Sequence, residues 1–201
     1  DAEATLAWFR EQGVRCRIIS GDNPVTVGAI ARKVRLTGDA EPRFMDAREL
    51  PADITELAKV LENVDVLGRV LPDQKKAIVQ ALHLGDHVVA MTGDGVNDAP
   101  ALKRADVGIA MGLKGSQAAK EAADLVLADD NFATIAAAVR EGRTVQDNLR
   151  KVIGFEIPTS AGEAATVVLA LLLGLALPIT AIQILWVNLI TGITLGLALA
   201  F

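Results

Sequence analysis

The chain has 201 residues, 51% of them hydrophobic, with a formal net charge of -5 and a pI near 5.1. That acidic balance excludes a general nucleic-acid binder, whose phosphate contacts need a basic surface, and the lone Cys16 excludes both a disulfide framework and a thiolate metal cluster. Nearly all charge lies before Val152; from there to Phe201 only Glu156 and Glu163 are ionisable, so a soluble portion and an apolar one are expected.

In chain order, Leu6, Phe9 and their apolar neighbours predict an amphipathic helix ending at Gly13. Val14 to Ile19 follows as a buried strand of a parallel sheet, with Cys16 as packing. Ser20-Gly21-Asp22-Asn23-Pro24 turns the chain, and Pro24 suits the first turn of the next helix. Residues 37–61, with Gly38, Pro42 and Pro51, read as a surface excursion carrying one helix near Ile54 to Leu61 and no chemistry. Strands are then expected at Val64–Val70, His87–Thr92, Val107–Met111 and Leu125–Leu127. Helices are expected between them at Asp73–Leu84, Ala99–Ala105 and Ser116–Ala123. This alternation predicts an α/β layered sheet with ligands at the carboxyl ends of its strands, where Ser20-Gly21-Asp22 and Thr92-Gly93-Asp94 both fall.

From Asn131 a helical pattern runs through Arg150 without a breaker until Pro158, reading as a stalk. Ile157–Leu177 and Ile179–Phe201, separated by Pro178, are each long enough for the roughly 20 residues of a spanning helix. Arg140, Arg143, Arg150 and Lys151 precede the first span and place that end on the cytoplasmic side. The expected organisation is a cytoplasmic α/β part over 1–130, a stalk over 131–156 and two transmembrane helices over 157–201. A start at Asp1, with neither Met nor a signal peptide, suggests a piece of a longer polypeptide.

The strongest chemical signal is the run from Met91 to Lys103, Met-Thr-Gly-Asp-Gly-Val-Asn-Asp-Ala-Pro-Ala-Leu-Lys. Two carboxylates and an amide on a glycine-rich turn supply hard oxygen ligands suited to Mg²⁺, and the glycines let backbone approach a phosphate. Helix capping explains Asn97 or Asp98 singly, but it does not require Asp94, Asn97 and Asp98 together at a strand end.

This stretch closely resembles the hinge motif of P-type ATPases, the cation pumps that pass through an aspartyl-phosphate. The resemblance implies that Asp94 holds the catalytic Mg²⁺, Asp98 supports the metal site and Asn97 contacts the transferred phosphate. Ile18-Ile19-Ser20-Gly21-Asp22-Asn23 looks like the family's phosphate-side loop, with Ser20 where Thr is more usual. A hydroxyl and backbone amides at a strand end can hold a phosphoryl group. Gly68-Arg69-Val70-Leu71-Pro72-Asp73-Gln74-Lys75 resembles the segment whose lysine neutralises the phosphoryl oxygens and whose arginine reaches the nucleotide. Apart from the family, Lys75 reads as a solvated surface charge. The resemblance implies a haloacid-dehalogenase-like Rossmannoid parallel sheet followed by a transmembrane hairpin, with Mg²⁺ as cofactor and ATP as substrate. It further implies catalytic roles for Ser20, Gly21, Asp22, Lys75 and Asn97, and nucleotide contacts from Arg69, Asp22 and Lys75. The family's nucleophile, an aspartate followed by Lys-Thr-Gly-Thr, occurs nowhere in the 201 residues. The chain alone is therefore expected neither to bind ATP strongly nor to form a phosphoenzyme.

In the first span Ser160 and Glu163 lie three residues apart on one helical face. A carboxylate in hydrocarbon costs roughly 3 kcal/mol unless paired, ion-bound or protonated, which makes Glu163 a transport-site candidate beside the alternatives of snorkelling or a structural hydrogen bond. The stretch Gln183 to Thr191 is similar to the corresponding helix of the calcium- and sodium-pump branch. By that similarity Glu163, Asn188, Thr191 and Ser160 are ion ligands; ordinary interhelical hydrogen bonding is the alternative for Asn188 and Thr191. Gly192 stands where calcium pumps place an Asp, leaving Ca²⁺, a monovalent ion or a proton as the cargo. The expected partners are ATP, the cation, the lipid bilayer and N-terminal parts of the same pump, in the plasma membrane of a prokaryote. A membrane-anchored phosphatase of the same superfamily and a non-catalytic pump-derived regulator are the competing readings.

Overall fold

A computed structural model describes residues 2–200; Asp1 and Phe201, expected ends of the soluble portion and of the second span, lie outside the described residues. The elements are α1 (Ala2–Glu11), β1 (Ile18–Ile19), α2 (Pro24–Lys33), β2 (Phe44–Asp46), a 3-10 turn (Ala47–Glu49), α3 (Ile54–Leu61), β3 (Val66–Gly68), α4 (Pro72–Leu84) and β4 (Ala90–Gly93). A second 3-10 turn (Val96–Asp98), α5 (Ala99–Leu102), β5 (Val107–Met111), α6 (Gln117–Ala122), β6 (Leu125–Leu127), α7 (Ala133–Leu172) and α8 (Ala181–Ala200) follow. Two compact units result, one through Ala137 and the other from Ala138.

The first unit is α/β with parallel strands, as expected, but the strands form two sheets of three, ordered β1-β3-β2 and β4-β5-β6. β1 pairs only with β3 and β4 only with β5, so each has an open edge among the described residues. One apolar cluster joins both sheets: Leu67 of β3, Met91 of β4 and Ala110 of β5 pack with Leu61 of α3, Ile78 of α4 and Leu102 of α5. Leu61, Ile78 and Leu102 are fully buried, each stabilising the unit by about 1.5–3 kcal/mol. A smaller cluster of Leu6, Val27, Ala31, Leu36 and Val66 has Cys16 and Phe132 at its margin.

Other expectations for this unit change as well: the strands expected over Val64–Val70 and His87–Thr92 form over Val66–Gly68 and Ala90–Gly93, and the helix expected over Ala99–Ala105 ends at Leu102. The strand expected over Val14–Ile19 shrinks to Ile18–Ile19, because Arg15 and Arg17 interrupt the apolar run. Their guanidiniums donate to the carbonyls of Glu62, Leu61 and Val64 at 2.8, 2.9 and 3.2 Å instead of leaving room for a ladder. Cys16 is accordingly half-buried, and desolvation pushes its thiol pKa up despite Arg10. The excursion 37–61 contains β2, a full sheet member in register with β3 from Phe44↔Val66 to Asp46↔Gly68.

In the second unit α7 runs through Pro158, which removes one backbone donor; on the next residue the Thr159 hydroxyl donates to the Phe155 carbonyl at 2.9 Å. The helix stops at Leu172, ahead of the expected Leu177–Pro178 boundary. The cause is Gly174, at φ +67, which lets the Leu175 amide reach back to the Ala170 carbonyl at 2.9 Å in a left-handed cap. α8 opens with a Thr180–Gln183 capping box, Gln183 Oε1 accepting from the Thr180 amide at 2.9 Å. Among the described residues α7 is long and apolar enough to cross a membrane, whereas the apolar part of α8, Ala181–Leu195, is shorter.

Candidate functional site

The Thr92-Gly93-Asp94 turn leaves the carboxyl end of β4 and folds over Asp98. Only glycine fits at position 93, since a Cβ there would stand 2.5 Å from the Asp98 Cβ. Asp98 is buried, its side chain 9% exposed. Its Oδ2 accepts from the amides of Gly95 at 3.0 Å and Asp94 at 3.3 Å, and its Oδ1 accepts from Lys75 Nζ at 2.5 Å. Lys75, on the first turn of α4, is thereby drawn out of solvent to 16% exposure and is not a solvated surface charge. Asp98 closes the turn and binds it to the lysine helix.

The Asp94 carboxylate accepts no hydrogen bond from any described residue and is exposed, and the Asn97 side chain is likewise exposed and without a partner. The Asp94 carbonyl accepts from the Ser116 amide at 2.7 Å. A free carboxylate on a turn rich in backbone oxygen fits Mg²⁺, which takes one or two carboxylates and keeps other positions for water and phosphate oxygens. Among the described residues no three His, Cys, Asp or Glu side chains gather into a metal cluster, so the chain offers Mg²⁺ a partial ligand set.

The second motif sits at the end of β1. Ser20 Oγ accepts from the Asp22 amide at 3.2 Å, leaving its hydroxyl hydrogen available to donate outward. The Arg69 amide donates to the Asp22 carbonyl at 2.7 Å and the Val70 amide to the Ser20 carbonyl at 2.9 Å, so the Ser20-Gly21-Asp22 and Gly68-Arg69-Val70 segments form one double loop. Gly68 is required there, because a Cβ would lie 2.4 Å from the Pro24 backbone. Arg69 has φ +55 and donates to Asp46 Oδ2 at 2.7 Å. Hydrogen bonds from the Arg48 side chain and amide, joined by Arg69, hold the Asp46 carboxyl far below the usual carboxylate range. Arg69 thus meets an acid on β2 that the sequence reading assigned no chemistry.

Hydrogen bonds therefore join Ser20-Gly21-Asp22 to the Arg69 loop, and Lys75 to the Asp94 turn. Asp46 and Ser116 are further participants that sequence reasoning passed over. A short acid-bearing strand and one capping residue carry too little pattern to stand out.

The ion-site candidates lie in the second unit. Along α7 from Val152 onward the less exposed positions are Val152, Glu156, Thr159, Glu163, Val167 and Ala170, and along α8 Ile184, Asn188, Thr191 and Leu195. Both series step by three or four residues and so mark one stripe per helix. Glu163, Asn188 and Thr191 lie on these stripes, Ser160 lies off them, and Glu156 joins Glu163 on the same face.

Models of haloacid dehalogenase-like hydrolases match residues 1–106 and 75–139. Over its whole length the chain is 46% identical to a protein of Synechocystis described as a cation-transporting ATPase, and 48% identical to a probable cation-transporting ATPase F of Mycobacterium bovis. Over 90% of its length it is 48% identical to a calcium-transporting ATPase of Bacillus subtilis. The chain spans 22% of the length of the first two relatives and 20% of the third. A solved zinc-transporting PIB-type ATPase shares the fold, with a TM-score of 0.64 and 24% identity over 98% of this chain and 26% of that one. The resemblance to cation-transporting ATPases read from the motifs is borne out by these relatives.

Proposed function

Because this chain belongs to the haloacid dehalogenase-like hydrolase family, we propose that it supplies part of the phosphorylation domain, the stalk and the first membrane-spanning segments after it in an ATP-driven cation pump. The observation that carries this reading is the Lys75–Asp98 pair, which sets the lysine helix against a turn whose Asp94 carboxylate is free. Such a set suits phosphoryl transfer, where catalysis is mostly positioning and neutralisation of spread charge.

Asp94, supported by Asp98, would hold Mg²⁺, which when bound neutralises phosphoryl oxygens. Lys75 adds a positive charge within reach of the same turn, and Asn97 donates its amide toward the transferred group. The Ser20 hydroxyl with the Gly21 and Asp22 amides receives phosphoryl oxygens at the end of β1. Arg69, oriented by Asp46, contacts the nucleotide at the rim with Asp22. The nucleophile comes from a strand outside these residues, and the open edges of β1 and β4 suit a strand lying between them. The β4 region supports this. Val88 to Met91 is a continuous apolar run of the kind covered on both faces in parallel sheets, yet Val88 is 87% exposed.

In the second unit Glu163, Asn188 and Thr191 supply the oxygen ligands of the cation site, Ser160 flanks it, and the bilayer surrounds α7 and α8. Residues 1–130 are then cytoplasmic and 131–156 form the stalk, in a prokaryotic plasma membrane. The test is phosphoenzyme formation from labelled ATP by the longer protein that contains this chain. Asp94→Asn and Lys75→Ala should each suppress labelling by at least tenfold, an interaction loss of about 1.4 kcal/mol or more, while Asp73→Asn should not. Normal labelling in Asp94→Asn would remove the turn from the reaction.

A further inference from the structure

The loop between β5 and α6 has an anchor that phosphoryl transfer does not by itself explain. Asp130 carries φ +53, a left-handed conformation that Asp tolerates better than most residues. This conformation aims both its carboxylate oxygens at the loop: Oδ1 accepts from the Leu113 amide and Oδ2 from the Lys114 amide, each at 2.8 Å. Two residues further along the same loop, the Ser116 amide donates to the Asp94 carbonyl at 2.7 Å. Ser116 also caps α6, its Oγ accepting from the Ala119 amide at 3.2 Å, so the end of the loop is fixed in direction.

The residues around Asp130 open α7. Asp129 Oδ2 accepts from the Thr134 hydroxyl at 2.6 Å, and Asn131 Oδ1 accepts from the Ala133 amide at 3.0 Å. Phe132 packs at the edge of the Leu6–Val27–Val66 cluster, its ring 5.8 Å from that of Phe9. Within six residues, the start of α7 is held both by the cluster behind β3 and, through Asp130, by the loop after β5.

We propose that Asp130 is a positioning residue for the Asp94 turn: by pinning loop 112–116 to the start of α7 it sets where the Asp94 peptide, and with it the Mg²⁺ ligand, stands. This rests on the pump reading above. Desolvation alone would raise the Asp130 carboxyl pKa, but the Leu113, Lys114 and Gly112 amides more than offset it and hold it below its ordinary value, consistent with a permanently ionised acceptor. Groups that orient metal ligands commonly change metal affinity by an order of magnitude or more when lost. The same linkage ties any shift of the Asp94 turn to the first residues of α7.

The experiment uses the full-length protein and compares Asp130→Ala, which loses both acceptors, with Asp130→Gly, which loses them but relieves the left-handed backbone. Both should raise the Mg²⁺ concentration for half-maximal phosphoenzyme on the order of tenfold, while the level at saturating Mg²⁺ stays near that of the parent. A structural defect alone would lower the saturating level and leave the half-saturation point unmoved, and that result would overturn the proposal. Hydrogen exchange at the Ser116 amide should quicken in both variants; unchanged exchange would likewise overturn it. A parent that forms no phosphoenzyme while Ser116 exchange quickens would refute the pump reading and leave the pinning intact, so the two failures are distinguishable.

Discussion

Asp94 and Asp98 are four residues apart on one turn, yet substitution should cost the fold far more at Asp98 than at Asp94. Asp98→Ala removes the charge-assisted bond to Lys75, worth about 1.5–3 kcal/mol, and the Gly95 amide bond, worth about 0.5–1.5 kcal/mol. It also leaves Lys75, 16% exposed, without its partner. A loss of about 3 kcal/mol is expected, and about half of that for Asp98→Asn, which keeps one acceptor oxygen and the volume. Asp94→Asn breaks no side-chain bond and should stay within about 0.5 kcal/mol of the parent. Urea titration of the full chain, read by pulse proteolysis, measures both. Equal destabilisation by the two substitutions would refute the division of labour in which Asp98 builds the turn and Asp94 is held in reserve for a ligand.

In the longer protein Glu163→Gln should abolish the cation dependence of ATP hydrolysis while Ser160→Ala leaves it near the parent, checked by ATPase titrations with candidate ions. Gly68→Ala should cost about 3 kcal/mol, the upper part of the overpacking range, because backbone atoms of Pro24 occupy the Cβ position; denaturant midpoints report it. Burial pushes the Asp65 carboxyl up, but hydrogen bonds from Arg15 and the Arg43 amide win and leave its pKa below the ordinary value. A depressed folded pKa contributes stability above the unfolded value of about 3.9 that is lost as pH falls through the folded one. Asp65→Asn should therefore flatten the acid limb of a stability-versus-pH curve.

Where local pattern and tertiary packing agree, the sequence was sufficient. Val107–Met111 and Leu125–Leu127 form strands with the expected bounds, since each is an apolar run fenced by turns. Arg15 and Arg17 show the opposite case: their aliphatic stems fit a strand, but carbonyls at the foot of the sheet capture their heads. β2 went unread because three residues hold too short a period, and Pro42 ahead of them looked like loop. Pro178 drew the helix boundary to itself although Gly174, with its left-handed cap, ends α7 first. The site was legible as types and order of residues. Its wiring was not: no spacing rule pairs Lys75 with Asp98 across 23 positions or aims Asp130 at an amide pair 16 and 17 residues earlier.

The most direct test is labelling with γ-phosphate-labelled ATP and Mg²⁺ of two samples, the 201-residue chain and the longer protein containing it. Acid-stable, hydroxylamine-sensitive label is expected on the longer protein and none on the 201-residue chain, which lacks the aspartate followed by Lys-Thr-Gly-Thr. Label on the 201-residue chain, or none on the longer protein, would contradict that expectation.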